Sequence, residues 1–296
     1  MTPSILDLAK ARTVLLDGAL GTELMRRGLP QGVAPETWNV DRPEVVQDVH
    51  RSYYAAGSDA VSTNSFGGSR IKLAGYGLAD RTFEFNKAAA EVAGAVRPAG
   101  KYVLGSIGPT GKFLEPQGDL TEADLEAAFA EQARGLAAGG VDAFILETHY
   151  DLREALCALR AVRGAGGGLQ VIAAMTFNAT PRGFFTMMGD GLERSVQELE
   201  KAGAHAVGAN CTLDSAQMVG LARAMRRLTT RPIVIQPNAG QATLGADGAV
   251  VYSQGLDAYL RSVPEILAAG VNLIGGCCGT NPETIRRIAG LVFRRA

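Results

Sequence analysis

"AAGVNLIGGCCGT", residues 268–280, passes from small residues through a short apolar run into two adjacent cysteines framed by glycines. Gly270 falls where a helix would end, a position at which a positive φ costs glycine little. The run behind it reads as a strand buried on both faces. The same junction of helix end, glycine and buried strand recurs at "AAGSDAV" (55–61), "AAGGVDAF" (137–144) and "KAGAHAV" (201–207). Strands of this kind alternating with helices imply βαβ units and a parallel sheet.

Eight such segments span the chain: "TVLLDGALGT" (13–22), "DAVSTNSFGG" (59–68), "YVLGSIGPTG" (102–111), "AFILETHYD" (143–151), "QVIAAMTFN" (170–178), "AVGANCTLD" (206–214), "PIVIQPNAG" (232–240) and "VNLIGGCCGT" (271–280). Amphipathic patterns such as "TEADLEAAFAEQARGLAAGG" (121–140) lie between them. An open doubly wound sheet shares this pattern over any four units, and length alone leaves one or two domains open. Eight units without a compositional break favour one closed (β/α)8 TIM barrel over residues 1–296, an α/β fold with its active site at the C-terminal ends of the strands.

Lys and Arg total 29 against 30 Asp and Glu, a net charge of −1, so no basic field exists to gather nucleic acid or an anionic membrane surface. No apolar run approaches the ~18–20 residues needed to span a bilayer, and the first residues lack a basic-then-apolar signal layout. The expected location is cytoplasmic. Four unevenly spread cysteines do not form a secreted disulfide framework. Cys157, at helical spacing in "REALCALRAV" (153–162), reads as a core thiol.

The other reactive side chains gather where such barrels build their sites. Asp17 follows the first strand, Asn64 the second, Glu147 the fourth, Cys211 the sixth, Asn238 the seventh, and Cys277 with Cys278 the eighth. Alternate strands feed one layer, so Cys211 and Cys277 can converge. Neighbours on a regular strand face opposite ways, so Cys278 joins them only if the strand breaks into a turn, which Gly275, Gly276 and Gly279 permit. A disulfide between the adjacent pair is one alternative, set back by a Cα spacing of ~3.8 Å where a bridge needs ~4.4–6.8 Å. Two unrelated buried thiols are another. Three thiolates on one zinc fit the glycine frame better and leave a fourth position open, as in catalytic zinc sites. A thiol substrate suits that position, because metal binding deprotonates it.

Over nearly the whole chain, "LDGALGTEL" (16–24), "TNSFGGSRIKLAGYGL" (63–78), "GSIGPTG" (105–111), "LET" (146–148), "GANC" (208–211), "PNAG" (237–240) and "GGCCGT" (275–280) resemble the zinc-dependent homocysteine S-methyltransferases. That family includes the homocysteine domain of cobalamin-dependent methionine synthase and betaine–homocysteine methyltransferase. The resemblance implies methyl transfer to the homocysteine thiolate, giving methionine. It implies Cys211, Cys277 and Cys278 as zinc ligands, Asp17 with Glu147 on the substrate ammonium, and amides near Gly18 and Ala19 on its carboxylate. Asn64 joins them as a candidate substrate contact. Asn238 is the candidate weak oxygen ligand that completes the metal before substrate arrives.

Departures bear on the methyl donor. A betaine site needs aromatic faces around a quaternary ammonium, yet Thr148 follows Glu147 where the betaine enzyme has a tyrosine, and Trp38 is the one tryptophan. Residues 63–78, 175–177 and 237–240 look more like the methionine synthase domain, so the expected donor is a methylcobalamin carried by a separate protein. Free S-methylmethionine, S-adenosylmethionine or betaine are alternatives, as is a non-catalytic homocysteine-binding sensor. Segments 28–40, 177–191 and 240–254 are expected on the strand-end face, as lids or as a docking surface for a corrinoid protein. The final helix, within 281–296, leaves a homo-oligomer open.

Overall fold

The computed structural model describes residues 3–244 and 250–293, so the expected segments 240–254 and 281–296 lie partly outside the described residues. Eight parallel strands form the sheet: β1 (Val14–Leu15), β2 (Ala60–Ser62), β3 (Tyr102–Ile107), β4 (Ala143–His149), β5 (Gln170–Met175), β6 (Ala206–Asp214), β7 (Ile233–Asn238) and β8 (Leu273–Ile274). Their order, β1-β8-β7-β6-β5-β4-β3-β2, is that of a (β/α)8 barrel, and the expected single barrel holds.

Side chains alternate across each strand with period two. Val14, Leu104, Ile145, Ile172, Val234 and Leu273 pack into one inner cluster. Val61, Val103, Phe144, Val171, Ile235 and Ile274 face the helices instead. Helix Ile5–Ala11, not anticipated from the sequence, starts at the Ser4 cap and adds Ile5, Leu6 and Ala9 to the inner cluster, closing the end of the barrel away from the site. Helix Glu122–Gly139 opens on a capping box between Thr121 and Asp124 and stops at Gly140, whose φ is 92°. Gly57, Gly203 and Gly270 stand at φ 108°, 93° and 84°, so each recurrent junction uses the left-handed residue its glycine predicts.

Two short hairpins decorate the segments expected as lids: Asn178–Thr180 with Gly183–Phe185, and Ala242–Leu244 with Val250–Tyr252. Met187 and Met188, just past the first hairpin, are exposed. Trp38 is buried with Arg42 over its ring, which removes it from any cage for a quaternary ammonium. Among the described residues no helix is long and apolar enough to cross a membrane.

The barrel closes between β1 and β2 through one backbone bond and two carboxylates rather than a ladder. Asp59 donates its N–H to Leu15 O at 2.6 Å, and its Oδ2 accepts from Leu15 N at 3.0 Å. One step further along, Asp17 Oδ2 accepts from Ser62 N at 2.7 Å. Asp59 is also gripped by Arg12 and Lys101. Burial opposes its charge, but these bonds outweigh burial and hold the carboxyl below its ordinary range. Its stabilising contribution is therefore complete above the unfolded carboxyl value of ~3.9 and is lost as pH falls through the lower folded one. Asp59→Ala leaves Arg12 and Lys101 partly solvated but strands the buried Leu15 N–H, so urea denaturation at neutral pH should show a loss of about 1–3 kcal/mol. An unchanged midpoint would mean the seam is held by something else.

Candidate functional site

Period two carries the inner face of the barrel from apolar into polar residues at the carboxyl ends. Above Ala60, Leu104, Ile145, Gly208 and Val234 stand, two residues on, Ser62, Ser106, Glu147, Asn210 and Gln236. With the loops above, four of them line a cavity of about 430 Å3, a volume suited to small molecules. Asp17, Gly18, Ala19, Asn64, Glu147, Cys211, Cys277 and Cys278 also line it, so eight of the nine residues expected at the site meet there. Asn238, the ninth, ends β7 and is buried, and its Oδ1 has no hydrogen-bond partner.

Cys211 does not arrive by alternation. It follows the inward Asn210 and would face outward on a regular strand. Instead Cys211 and Thr212 adopt φ 62° and 61°, and the pairing of β6 with β7 shifts register between Asn210 and Asp214. This bulge turns the sulfur inward, at about 1–2 kcal/mol for each left-handed non-glycine residue. Strand β4 bulges likewise between Leu146 and His149, with Thr148 at φ 62°, which leaves Glu147 and Thr148 both on the cavity wall.

The eighth strand stops at Ile274 and breaks into the expected turn. Cys277 N donates to Pro237 O at 2.8 Å, and Ala239 N donates to Cys278 O at 2.9 Å. Gly279, at φ 81°, lies under the Tyr252 ring, where a β-carbon would meet the ring at 2.3 Å. The three sulfurs lie within 4.8 Å of one another, and Cys211 Sγ is 3.9 Å from Cys278 Sγ. Thiolates around a tetrahedral cation with bonds of about 2.3 Å would be about 3.8 Å apart, so the sulfurs are spaced to hold a soft divalent ion. A second grouping, Glu122, Glu126 and Cys157, is spoken for: Arg160 bonds all three. Cys157 is buried, as expected of a core thiol.

Hydrogen bonds from Cys277 and Cys278 hold the Cys211 thiol far below its ordinary value. The same hydrogen bonding to Cys211, with burial and its charge adding, drives Cys277 up, and Cys278 up to about 11. One proton leaves easily and the next two do not, unless a cation joins the sulfurs.

The carboxylates show the same want of a cation. Burial pushes Asp17 up to about 8 against its bonds to Ser62, and the charge of Glu147 adds to the rise. Burial pushes Glu147 up to about 7, against the hydrogen bond from Ser106, with Cys211 adding to the rise. Among the described residues, Lys72 is the one cationic side chain lining the cavity, and it sits over Phe66, 4.9 Å from the ring centre. Of the other expected contacts, Asn64 gives its amide nitrogen to Pro35 O at 2.7 Å and Asn39 Oδ1 at 3.0 Å, tying down the loop after β1. Ala19 N–H is bonded to Thr280 Oγ1 at 3.2 Å. Helix Leu20–Arg26 begins there with no side-chain cap.

Sequence reasoning missed Ser62, Ser106, Asn210 and Gln236. The available signal was a polar residue two places after an inward apolar or small one on an otherwise buried strand. Asn210 is fully buried: its Oδ1 accepts from Thr148 N at 2.7 Å, and its Nδ2 donates to Thr148 Oγ1 at 2.7 Å and to Cys277 Sγ at 3.7 Å.

Because the folded value of Glu147 is raised, its contribution to stability is present below the unfolded ~4.3 and is lost as pH rises through about 7. In reduced, metal-free protein, raising the pH from about 5 to about 8 should cost wild type on the order of 2 kcal/mol more than Glu147→Gln, a figure lowered for water in the open cavity. Parallel urea-midpoint profiles of the two proteins would contradict this.

The chain matches the family profile described as homocysteine S-methyltransferase over residues 14–292. It is 34% identical to methionine synthase of Mycobacterium tuberculosis (strain ATCC 25618 / H37Rv), across 97% of this chain and 25% of that protein. To methionine synthase of Mycobacterium leprae (strain TN) it is 32% identical, across 98% of this chain and 25% of that protein. The chain thus spans about a quarter of the length of the curated relatives it matches. Among solved structures, the homocysteine methyltransferase MmuM from Escherichia coli in its metallated form aligns with a TM-score of 0.79 and 26% identity, over 96% of this chain and 98% of that one.

Proposed function

We infer the activity from kinship: this chain belongs to the homocysteine S-methyltransferase family, and its reaction is methyl transfer to the sulfur of homocysteine, giving methionine. The observation that carries this reading is the meeting of three thiols and two carboxylates without a cationic partner in one cavity. An amino acid bearing a thiol supplies what each half lacks. Its ammonium answers Asp17 and Glu147, and its sulfur reaches Cys211, Cys277 and Cys278.

Cys211, Cys277 and Cys278 would hold zinc, and the unpartnered Asn238 Oδ1 would be available to complete the set in the absence of a thiol. Zinc there would keep the homocysteine sulfur ionised at neutral pH and fixed in place. The rest falls to the chain. Ser106 and Ser62 orient the two carboxylates. The substrate carboxylate lies at Gly18 and the uncapped first turn of helix Leu20–Arg26 rather than on the Ala19 N–H, which Thr280 already occupies. Asn64 shapes the wall by pinning the loop after β1.

The donor is a methylcobalamin carried by a separate protein, a reading supported by the 34% and 32% identity to methionine synthases. It docks over the open mouth, where Phe66, Met187, Met188 and Leu244 are exposed. A free donor is the second reading, favoured by the 98% of the MmuM chain that this barrel covers.

Cys211→Ser, Cys277→Ser and Cys278→Ser should each lose stoichiometric zinc by metal analysis, and full retention by any one would remove it from the ligand set. Glu147→Ala should keep its zinc but bind homocysteine about 10- to 150-fold more weakly by calorimetry, the worth of one charged hydrogen bond. Unchanged affinity would reject the assignment of the ammonium. Turnover with free S-methylmethionine and none with methylcobalamin would end the corrinoid reading.

A further inference from the structure

Among the described residues, Asn210 is the side chain that bonds both halves of the site. Its carboxamide spans Thr148 with two hydrogen bonds of 2.7 Å, one to the backbone N–H and one to the hydroxyl, and its second N–H reaches Cys277 Sγ at 3.7 Å. Thr148 is the left-handed residue of the β4 bulge, at φ 62°, and directly follows Glu147. A threonine gains nothing intrinsic from that conformation, so something outside the strand must hold it. The carboxamide satisfies both polar groups of Thr148 that face it. Asn210 also directly precedes Cys211 and Thr212, the left-handed pair of the β6 bulge, and has no exposed surface.

We propose that Asn210 is a positioning residue that fixes the carboxylate of Glu147 and the sulfur of Cys277 relative to one another, and so matches the site to an amino acid of one side-chain length. This rests on the functional reading above. Its two arms do different work. The bonds to Thr148 keep the β4 bulge in the conformation that aims Glu147 at the ammonium. The N–H toward Cys277 draws charge from that sulfur and sets its direction, as groups behind a metal ligand commonly do.

Three substitutions separate the arms. Asn210→Asp keeps an acceptor for Thr148 N–H and can accept from its hydroxyl, but replaces the donor at the sulfur with a negative oxygen. In a chelator competition without homocysteine its zinc affinity should fall about 10- to 100-fold. By calorimetry on zinc-loaded protein its homocysteine affinity should stay within about threefold of wild type. Thr148→Val removes the hydroxyl and should do the reverse, weakening homocysteine about 10-fold, the worth of one hydrogen bond, with zinc affinity unchanged. Asn210→Ala should lose both; if it does not fold, the other two variants still decide. Wild-type zinc affinity in Asn210→Asp, or wild-type homocysteine affinity in Thr148→Val, would overturn the proposal while leaving the family reaction intact. Failure of wild type itself to bind one zinc would overturn the functional reading and this inference with it.

Discussion

Consecutive side chains on a strand face opposite ways, and this barrel needs neighbours to face the same way. It meets the need three times. Glu147 and Thr148 share the cavity wall because β4 bulges, Cys211 turns in beside Asn210 because β6 bulges, and Cys277 and Cys278 both reach the cavity because β8 has already ended. Two of the three solutions use left-handed residues that are not glycine, at about 1–2 kcal/mol apiece. Tertiary bonds offset that strain: Asn210 clasps Thr148, and Thr176 meets the hydroxyl of Thr212 at 2.5 Å. Departure from regular geometry is confined to the end of the barrel where the reactive groups lie, while the inner apolar layer beneath keeps strict alternation.

The electrostatics follow from what stands beside each acid. Asp59 is nearly as buried as Asp17, yet Asp59 has Arg12 and Lys101 against it and its carboxyl is held low. Asp17 and Glu147 face a cavity whose one cationic side chain is occupied by Phe66, and both are held high. The same side-chain chemistry is a clamp in the first setting and, in the function proposed above, a receptor in the second. The thiols obey the same rule: close enough to share a charge, they resist giving up a second proton until a positive partner arrives.

Most of the architecture was legible because it rests on signals of short range. Glycine at four helix ends, apolar runs after them, and reactive residues at the strand ends are each visible within a few positions, and the barrel and the meeting of the thiols followed from them. The reason given for that meeting was incomplete. Even-numbered strands do share a layer, but Cys211 enters by a bulge, and nothing local in "GANC" announces a φ of 62°. The partners of Asn64 and Ala19 were hidden for a different reason: they lie across the fold, on Pro35 and Thr280, and a side chain's competing bonds cannot be read from its neighbours. Helix Ile5–Ala11 was overlooked because a seven-residue element carries too few turns to show a period.

Asp17 lines the cavity and also fastens β2 to the loop after β1 where no ladder joins them. Any lineage that drifted to a different chemistry would still be obliged to keep an acceptor there, or let the cylinder gape. Persistence of an acid at that place in distant cousins therefore testifies to a wall that shuts, and says little by itself about what the wall encloses.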